Sequence, residues 1–242
     1  SYELAFLVLA TAVADYMFGR AMGVVERRRW RRLLLFASVG MNLGVLCYFK
    51  YRGFFLNELY DGMRQVGMNP GYEKMNPLAV FIPFGISFYT FEAISYSVDV
   101  FQGKLKAEKN LPNFLLFILF FPHLVAGPIV RGRDFLMQAH RPKKWSWVRA
   151  QHGVQLIALG LFKKLAIADA MALYCDRVWD PAIVAANPVE LLSSAAVWMA
   201  VLAFTIRVYC DFSGYSDMAL GCAHLLGYKL TINFRMPYIS KN

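Results

Sequence analysis

The chain has 242 residues, 58% of them hydrophobic and 17% charged, where an ordinary soluble domain runs roughly 45–50% apolar and about 25% charged. Mean hydropathy is +0.40, and the apolar residues come in long blocks rather than amphipathic stripes, which excludes an ordinary soluble enzyme and indicates a polytopic membrane protein. Formal net charge is +10, but the basic residues gather at the ends of the apolar blocks, so positive-inside topology and anionic lipid account for them without nucleic-acid binding.

Residues 4–18 form the first apolar run, with Asp15 inside it and Arg20 closing it. Arg27, Arg28, Arg29, Arg31 and Arg32 follow, then a second apolar run over 33–49 bounded by Lys50 and Arg52. The two predict a hairpin of spans with its Arg-rich turn on the cytoplasmic side. Over 51–76, Phe54, Phe55, Leu56, Leu59 and Met63 share one helical face ahead of the breakers Gly67, Pro70 and Gly71. That pattern predicts a short helix lying in the interface.

Residues 78–101 are a third membrane block, interrupted near its start by Pro83 and Gly85. Beyond them Tyr89, Glu92, Tyr96 and Asp99 recur at i, i+3, i+7 and i+10, on one face. Such a stripe is either a wet, proton-bearing face or structural glue between helices. The block at 111–130 is broken by Pro122 and by Gly127-Pro128, which predicts a broken or re-entrant helix. His123 reads as a satisfied core histidine ahead of a catalyst. Residues 131–151 read as a polar, basic loop carrying the interfacial Trp145 and Trp147.

Residues 154–175 are apolar apart from Lys163, Lys164 and Asp169. On a regular helix Asp169 is too far along to pair with either lysine, so the lysines need a partner elsewhere or an anionic ligand. The preferred alternative is two short tilted helices that place them at the interface. A loop over 176–188 precedes a span at 191–206. Then comes the densest polar stretch of the chain, Val208-Tyr209-Cys210-Asp211-Phe212-Ser213-Gly214-Tyr215-Ser216-Asp217, set between apolar segments, which marks it as a candidate site. Arg207 stands one turn before Asp211, the spacing of an i, i+4 ion pair. If the helix continues past Gly214, Ser213, Asp217 and His224 share a face and Asp217 is placed to orient His224 as a base. The four cysteines show no C-x-x-C spacing and read as buried free thiols, with no metal site. Residue 1 is Ser, no signal peptide is visible, and residues 237–242 trail off without a span, so the chain reads as an internal piece of a longer protein: one helical domain over 1–242, trimmed at both ends.

Four stretches in order resemble signatures of the membrane-bound O-acyltransferases, and most closely those of the bacterial alginate O-acetyltransferase branch. They are Pro83-Phe84-Gly85-Ile86-Ser87-Phe88-Tyr89-Thr90-Phe91 with Tyr96 and Asp99; Phe121-Pro122-His123-Leu124-Val125-Ala126-Gly127-Pro128-Ile129-Val130-Arg131; Gly160-Leu161-Phe162-Lys163-Lys164 with Asp169; and residues 209–217 with Asn233-Phe234 and Pro237-Tyr238. The resemblance implies an all-α, polytopic transmembrane bundle with broken helices in the bacterial inner membrane. It implies transfer of an acetyl group from cytoplasmic acetyl-CoA, with no bound cofactor, towards an exported polysaccharide, with membrane lipid and an extracytoplasmic acetyltransferase as partners. It puts Tyr89, Tyr96, Asp99, His123, Pro128, Lys163, Lys164, Ser213, Tyr215, Asp217, Asn233 and Tyr238 along the substrate tunnel. The family's histidine follows the Pro-Tyr-Ile-Ser stretch in a Trp-His segment, a setting that none of His123, His140, His152 or His224 shares. The 242 residues are therefore expected to be inactive alone, with Asp211 (as an orienting acid, or as a structural partner of Arg207) and His224 the remaining catalytic candidates. The alternatives are D-alanyl transfer to teichoic acid, a lipid or substrate transporter suggested by the broken helices and buried charges, and a scaffold for the extracytoplasmic enzyme.

Overall fold

The computed structural model describes residues 2–69, 71, 73, 85–124, 127–179 and 193–233. Among them the regular structure is helical throughout, with no strand. Three helical stretches are long and apolar enough to cross a bilayer: Ala5–Val24, Arg28–Gln65 and Ser194–Leu225. Their large outward side chains include Met17, Leu33, Phe36, Trp198 and Leu202; hydrocarbon, not water, suits such a surface. The chain gathers into two compact units, one over Ser1–Val125 with Arg131–Arg141, the other over Ala126–Val130 with Pro142–Asn242.

In the first unit α1 (Tyr2–Val24) and α2 (Arg28–Leu46) form the expected hairpin about a turn at 25–27. Helix α2 does not end where the second apolar run ends. A π-helical turn, Cys47–Tyr51, carries it directly into α3 (Arg52–Gln65). The separate interfacial helix expected over 51–76 is thus the far half of one 38-residue rod, because nothing in Cys47-Tyr48-Phe49-Lys50-Tyr51 removes a backbone donor. Gly67 follows with φ +78°, the left-handed conformation that ends the rod.

Helix α4 (Ile86–Phe101) starts from Gly85, also left-handed at φ 72°, and packs on α1 and α2. Asp15 of α1, 1% exposed, accepts hydrogen bonds from Ser38 Oγ (2.7 Å) and Asn42 Nδ2 (2.8 and 2.9 Å), both from α2. Ser38 Oγ lies 2.9 Å from Ser97 Oγ of α4. A buried polar clasp therefore joins three helices, as polar groups do where hydrocarbon offers no other partner. The block at 111–130 is broken as expected, into α5 (Leu111–Ile118) and a single turn, α6 (Phe121–Leu124). Of the loop expected over 131–151, residues 132–139 and 147–151 are helix instead: α7 (Gly132–Ala139) buries Phe135 and Leu136 in this unit's aromatic core, and 147–151 open the next helix.

In the second unit α8 (Trp147–Leu161), a seven-residue π-helical segment (Phe162–Ala168) and α9 (Asp169–Trp179) run without interruption. The two short tilted helices expected here are one rod, and residues 176–179, read as loop, are its last turn. Helix α10 (Ser194–Leu225) packs along all three parts, capped by the Ser193 hydroxyl, which accepts from the Ala196 amide. It passes through Gly214 unbroken. The two rods touch through paired glycines: a Cβ at Gly153 would stand 2.8 Å from the Gly221 carbonyl, and one at Gly214 would stand 2.8 Å from the Gly160 carbonyl. Both pairs are seven residues apart along their helices, two turns, so one seam is held at backbone contact.

Candidate functional site

The polar residues singled out by sequence fall into two groups, one in each unit. In the first unit α4 presents Tyr89, Glu92 and Tyr96 to the interior, while Asp99 is partly exposed. The break at Pro122 turns His123 inward, where it is wholly buried. Its Nδ1 lies 2.9 Å from Glu92 Oε1, with the rings of Phe120 and Phe135 at 5.4 and 6.0 Å. The imidazole Nε2, the Tyr89 hydroxyl and the Thr90 hydroxyl are buried with no hydrogen-bond partner among the described residues. Glu92 and His123 form an acid–imidazole pair in an aromatic pocket. Tyr96 is enclosed between Gly19 and Gly132, stacks edge-on to Phe114 at 4.8 Å, and accepts a hydrogen bond from the Glu108 amide at 3.0 Å.

In the second unit the lysines find partners from two directions. Lys163 Nζ donates to Asp217 Oδ2 at 2.6 Å. Lys164 Nζ reaches Asp211 Oδ1 at 2.7 Å and Asp169 Oδ1 at 2.8 Å. The last pair corrects the expectation that Asp169 is out of reach. In an α-helix, residues five apart point in well-separated directions, but the wider π winding bonds i to i+5 and brings them onto one side. The expected Arg207–Asp211 pair is absent: Arg207 Nη1 turns to Asp176 of α9 at 3.3 Å, and Asp211 is taken by Lys164. Nor does Asp217 orient His224. Seven residues on one helix are about 10.5 Å apart along the axis, so a shared face is not a contact. His224 instead packs edge-on to His152, ring centroids 5.2 Å apart. Ser213 and Ser216 are buried on α10 with hydroxyls unpartnered among the described residues, while Tyr215 faces outward.

After α10 the chain folds back on the Gly127-Pro128 break. Lys143 Nζ sits 4.2 Å over the Tyr228 ring, whose burial pushes the phenol above its ordinary pKa. Thr231 Oγ1 donates to the Ile129 carbonyl at 3.3 Å and Asn233 Nδ2 to the Gly127 carbonyl at 3.4 Å, on either side of the buried Pro128. Sequence reasoning missed Thr231 and Tyr228, because an isolated threonine or tyrosine after a helix carries no spacing signal. Tyr238, with Pro83, Phe84, Val125, Ala126 and residues 234–242 of the motifs, lies outside the described residues. Among those described, no three His, Cys, Asp or Glu side chains converge as metal ligands. The four cysteines are free, but only Cys175 and Cys210 are buried; Cys47 is exposed and Cys222 partly so. A thiol inside an apolar run can still face lipid.

Long apolar helices, a helical block broken at Pro122, and buried acids and interhelical ion pairs that bridge the helices define an integral membrane protein with polar groups between its helices. Residues 102–240 match the membrane-bound O-acyltransferase family, and the chain belongs to that family. It is 37% identical over 250 residues to a probable alginate O-acetylase of Pseudomonas putida, a match covering 100% of this chain and 48% of that protein. It is 29% identical over 263 residues to a peptidoglycan O-acetyltransferase of Helicobacter pylori, covering 98% and 47%. A teichoic acid D-alanyltransferase of Bacillus subtilis matches at 29% over 164 residues, 65% of this chain and 39% of that protein. The chain thus spans about half the length of the curated relatives it matches.

Proposed function

We propose that this protein is a multi-pass O-acyltransferase of the bacterial inner membrane. It takes an acetyl group from acetyl-CoA on the cytoplasmic side and passes it outward for O-acetylation of an exported polysaccharide, together with an extracytoplasmic acetyltransferase. The observation that carries this reading is the match of the whole chain to probable alginate O-acetylases. In such a transfer an acceptor hydroxyl or thiol attacks the thioester carbonyl, a base takes its proton, donors stabilise the oxyanion, and CoA leaves as the thiolate. None of the four histidines here stands in the Trp-His setting of the family, so residues 1–242 expressed alone should transfer nothing.

The residues of this sequence supply walls and fixed charges rather than the base. Tyr89 and His123 in one unit, and Ser213 in the other, carry buried polar atoms that no described residue satisfies, which makes them the strongest acyl-path positions among those named above. The Lys163–Asp217 and Lys164–Asp211 pairs hold the π-helical segment against α10 as positioning elements.

The test is expression of the complete gene in cells making a defined surface polysaccharide, followed by NMR of the ester groups formed. Acetyl esters that vanish when the Trp-His histidine is replaced support the reading. D-alanyl esters would favour the second reading, for which the Bacillus subtilis relative speaks, and movement of a lipid-linked substrate without any ester would favour a transporter.

A further inference from the structure

We infer that a basic cavity beneath the α1–α2 turn binds the phosphate of an anionic phospholipid headgroup. The cavity measures about 700 Å³ and lies wholly within the first unit, between the end of α1, the turn at 25–27, Arg31 of α2, and the end of α4 with the loop after it. Four cations line it, Arg20, Arg31, Lys106 and Lys109, against one carboxylate, Glu26. None of the five forms an ion pair among the described residues. An excess of positive charge around a concavity, left uncompensated among the described residues, calls for an anion from outside.

Arg31 is held ready for one. Its Nη2 donates to the Val100 and Phe101 carbonyls at 3.0 and 3.1 Å, which satisfies the end of α4. Its guanidinium lies 5.8 Å from the Phe101 ring centre, and its Nε is buried without a partner among the described residues. Guanidinium and ammonium groups together suit a phosphate, the planar fork giving direction and the lysines charge. A lipid satisfies more of this site than a soluble phosphate does. The helices that bound it expose Met17 and Val24 on α1, and Trp30, Leu33 and Phe36 on α2. An amphiphile places its headgroup among the cations and its chains along that apolar surface, whereas a soluble anion leaves the surface unused. The inference does not depend on the acyltransfer reading.

The test uses full-length protein in a neutral detergent, titrated with mixed micelles of phosphatidylglycerol or phosphatidylcholine, with bound lipid counted by native mass spectrometry. Phosphatidylglycerol should be retained in preference to phosphatidylcholine. The K106Q/K109Q variant should lose roughly fivefold in affinity per cation removed, about 1 kcal/mol each, and K106R/K109R should recover it. R28Q/R29Q, which removes charge from the exposed start of α2 outside the cavity, should retain the preference. Equal retention of the two lipids, or equal loss in both glutamine variants, would overturn the inference by showing diffuse surface attraction. Displacement of phosphatidylglycerol by adenosine 3′,5′-bisphosphate would overturn it too, by assigning the cavity to a soluble phosphate ester. If circular dichroism shows the double variant misfolded, the single Lys106→Gln variant decides by the same comparison.

Discussion

An aspartate inside an apolar helix is tenable only if other helices supply its donors. Asp15 receives three such contacts from Ser38 and Asn42. Asp15→Ala should therefore leave the Ser38 hydroxyl with only Ser97 and the Asn42 amide with only the Ser38 carbonyl, at about 1–3 kcal/mol for the buried hydrogen-bonding capacity lost. Asp15→Asn, which keeps an acceptor oxygen, should cost less than half of the alanine variant. Thermal unfolding in detergent measures both, and equal losses would show that charge, not acceptance, holds the clasp. The Glu92–His123 pair makes a parallel case: Glu92→Ala strands a buried imidazole at roughly 3 kcal/mol, and Glu92→Gln should recover much of that. The interior acid and the lone histidine were both visible in sequence. Their partners were not, because Ser38 and Asn42 lie 23 and 27 residues from Asp15 on another helix, and helical spacing reports a face rather than what packs on it.

At the scale of elements, the block boundaries were readable and the continuity of the rods was not. Pro122 and Gly127-Pro128 remove donors or force turns, so the break in 111–130 could be read directly. Two π-helical segments, at Cys47–Tyr51 and Phe162–Ala168, have no such signature, and each joined what sequence had separated. The second also rearranged the charges by bringing Asp169 to Lys164. In a double-mutant cycle, Lys163–Asp217, with side chains 23% and 18% exposed, should couple more strongly than Lys164–Asp211 at 35% and 53%. We expect roughly 1–2 kcal/mol for the first and under about 1 for the second, since water screens the more open pair. The glycine seam gives a sharper contrast. Gly214→Ala pushes a methyl against the Gly160 carbonyl and should cost about 1–3 kcal/mol. Gly40→Ala on α2 meets nothing within 4 Å and should be neutral or stabilising by up to roughly 1 kcal/mol. Equal effects would mean that the seam is not held at backbone contact.

For the molecule as a whole, the membrane sets the remaining constraint. Helix α10, 32 residues long, reaches about 48 Å, and the hydrocarbon core is about 30 Å thick. It must tilt or stand beyond the bilayer, and its apolar N-terminal half, followed by Arg207 and Asp211, puts the charged part towards one face. At the other end of the chain the α1–α2 turn concentrates Arg27, Arg28, Arg29, Arg31 and Arg32 within a few residues of two spans, the setting in which positive charge decides orientation. That turn should therefore face the cytoplasm, on the same side as the proposed acetyl donor. A Glu26→Cys variant in which every other cysteine of the full-length protein except the buried Cys175 and Cys210 is replaced by alanine reports the side directly. A membrane-impermeant maleimide should label it in opened cells and leave it unlabelled in intact spheroplasts. Labelling in intact spheroplasts would put the Arg-rich turn outside. The lipid cavity beneath that turn would then draw on the outer leaflet, and the acetyl donor would have to enter from the opposite end of these helices.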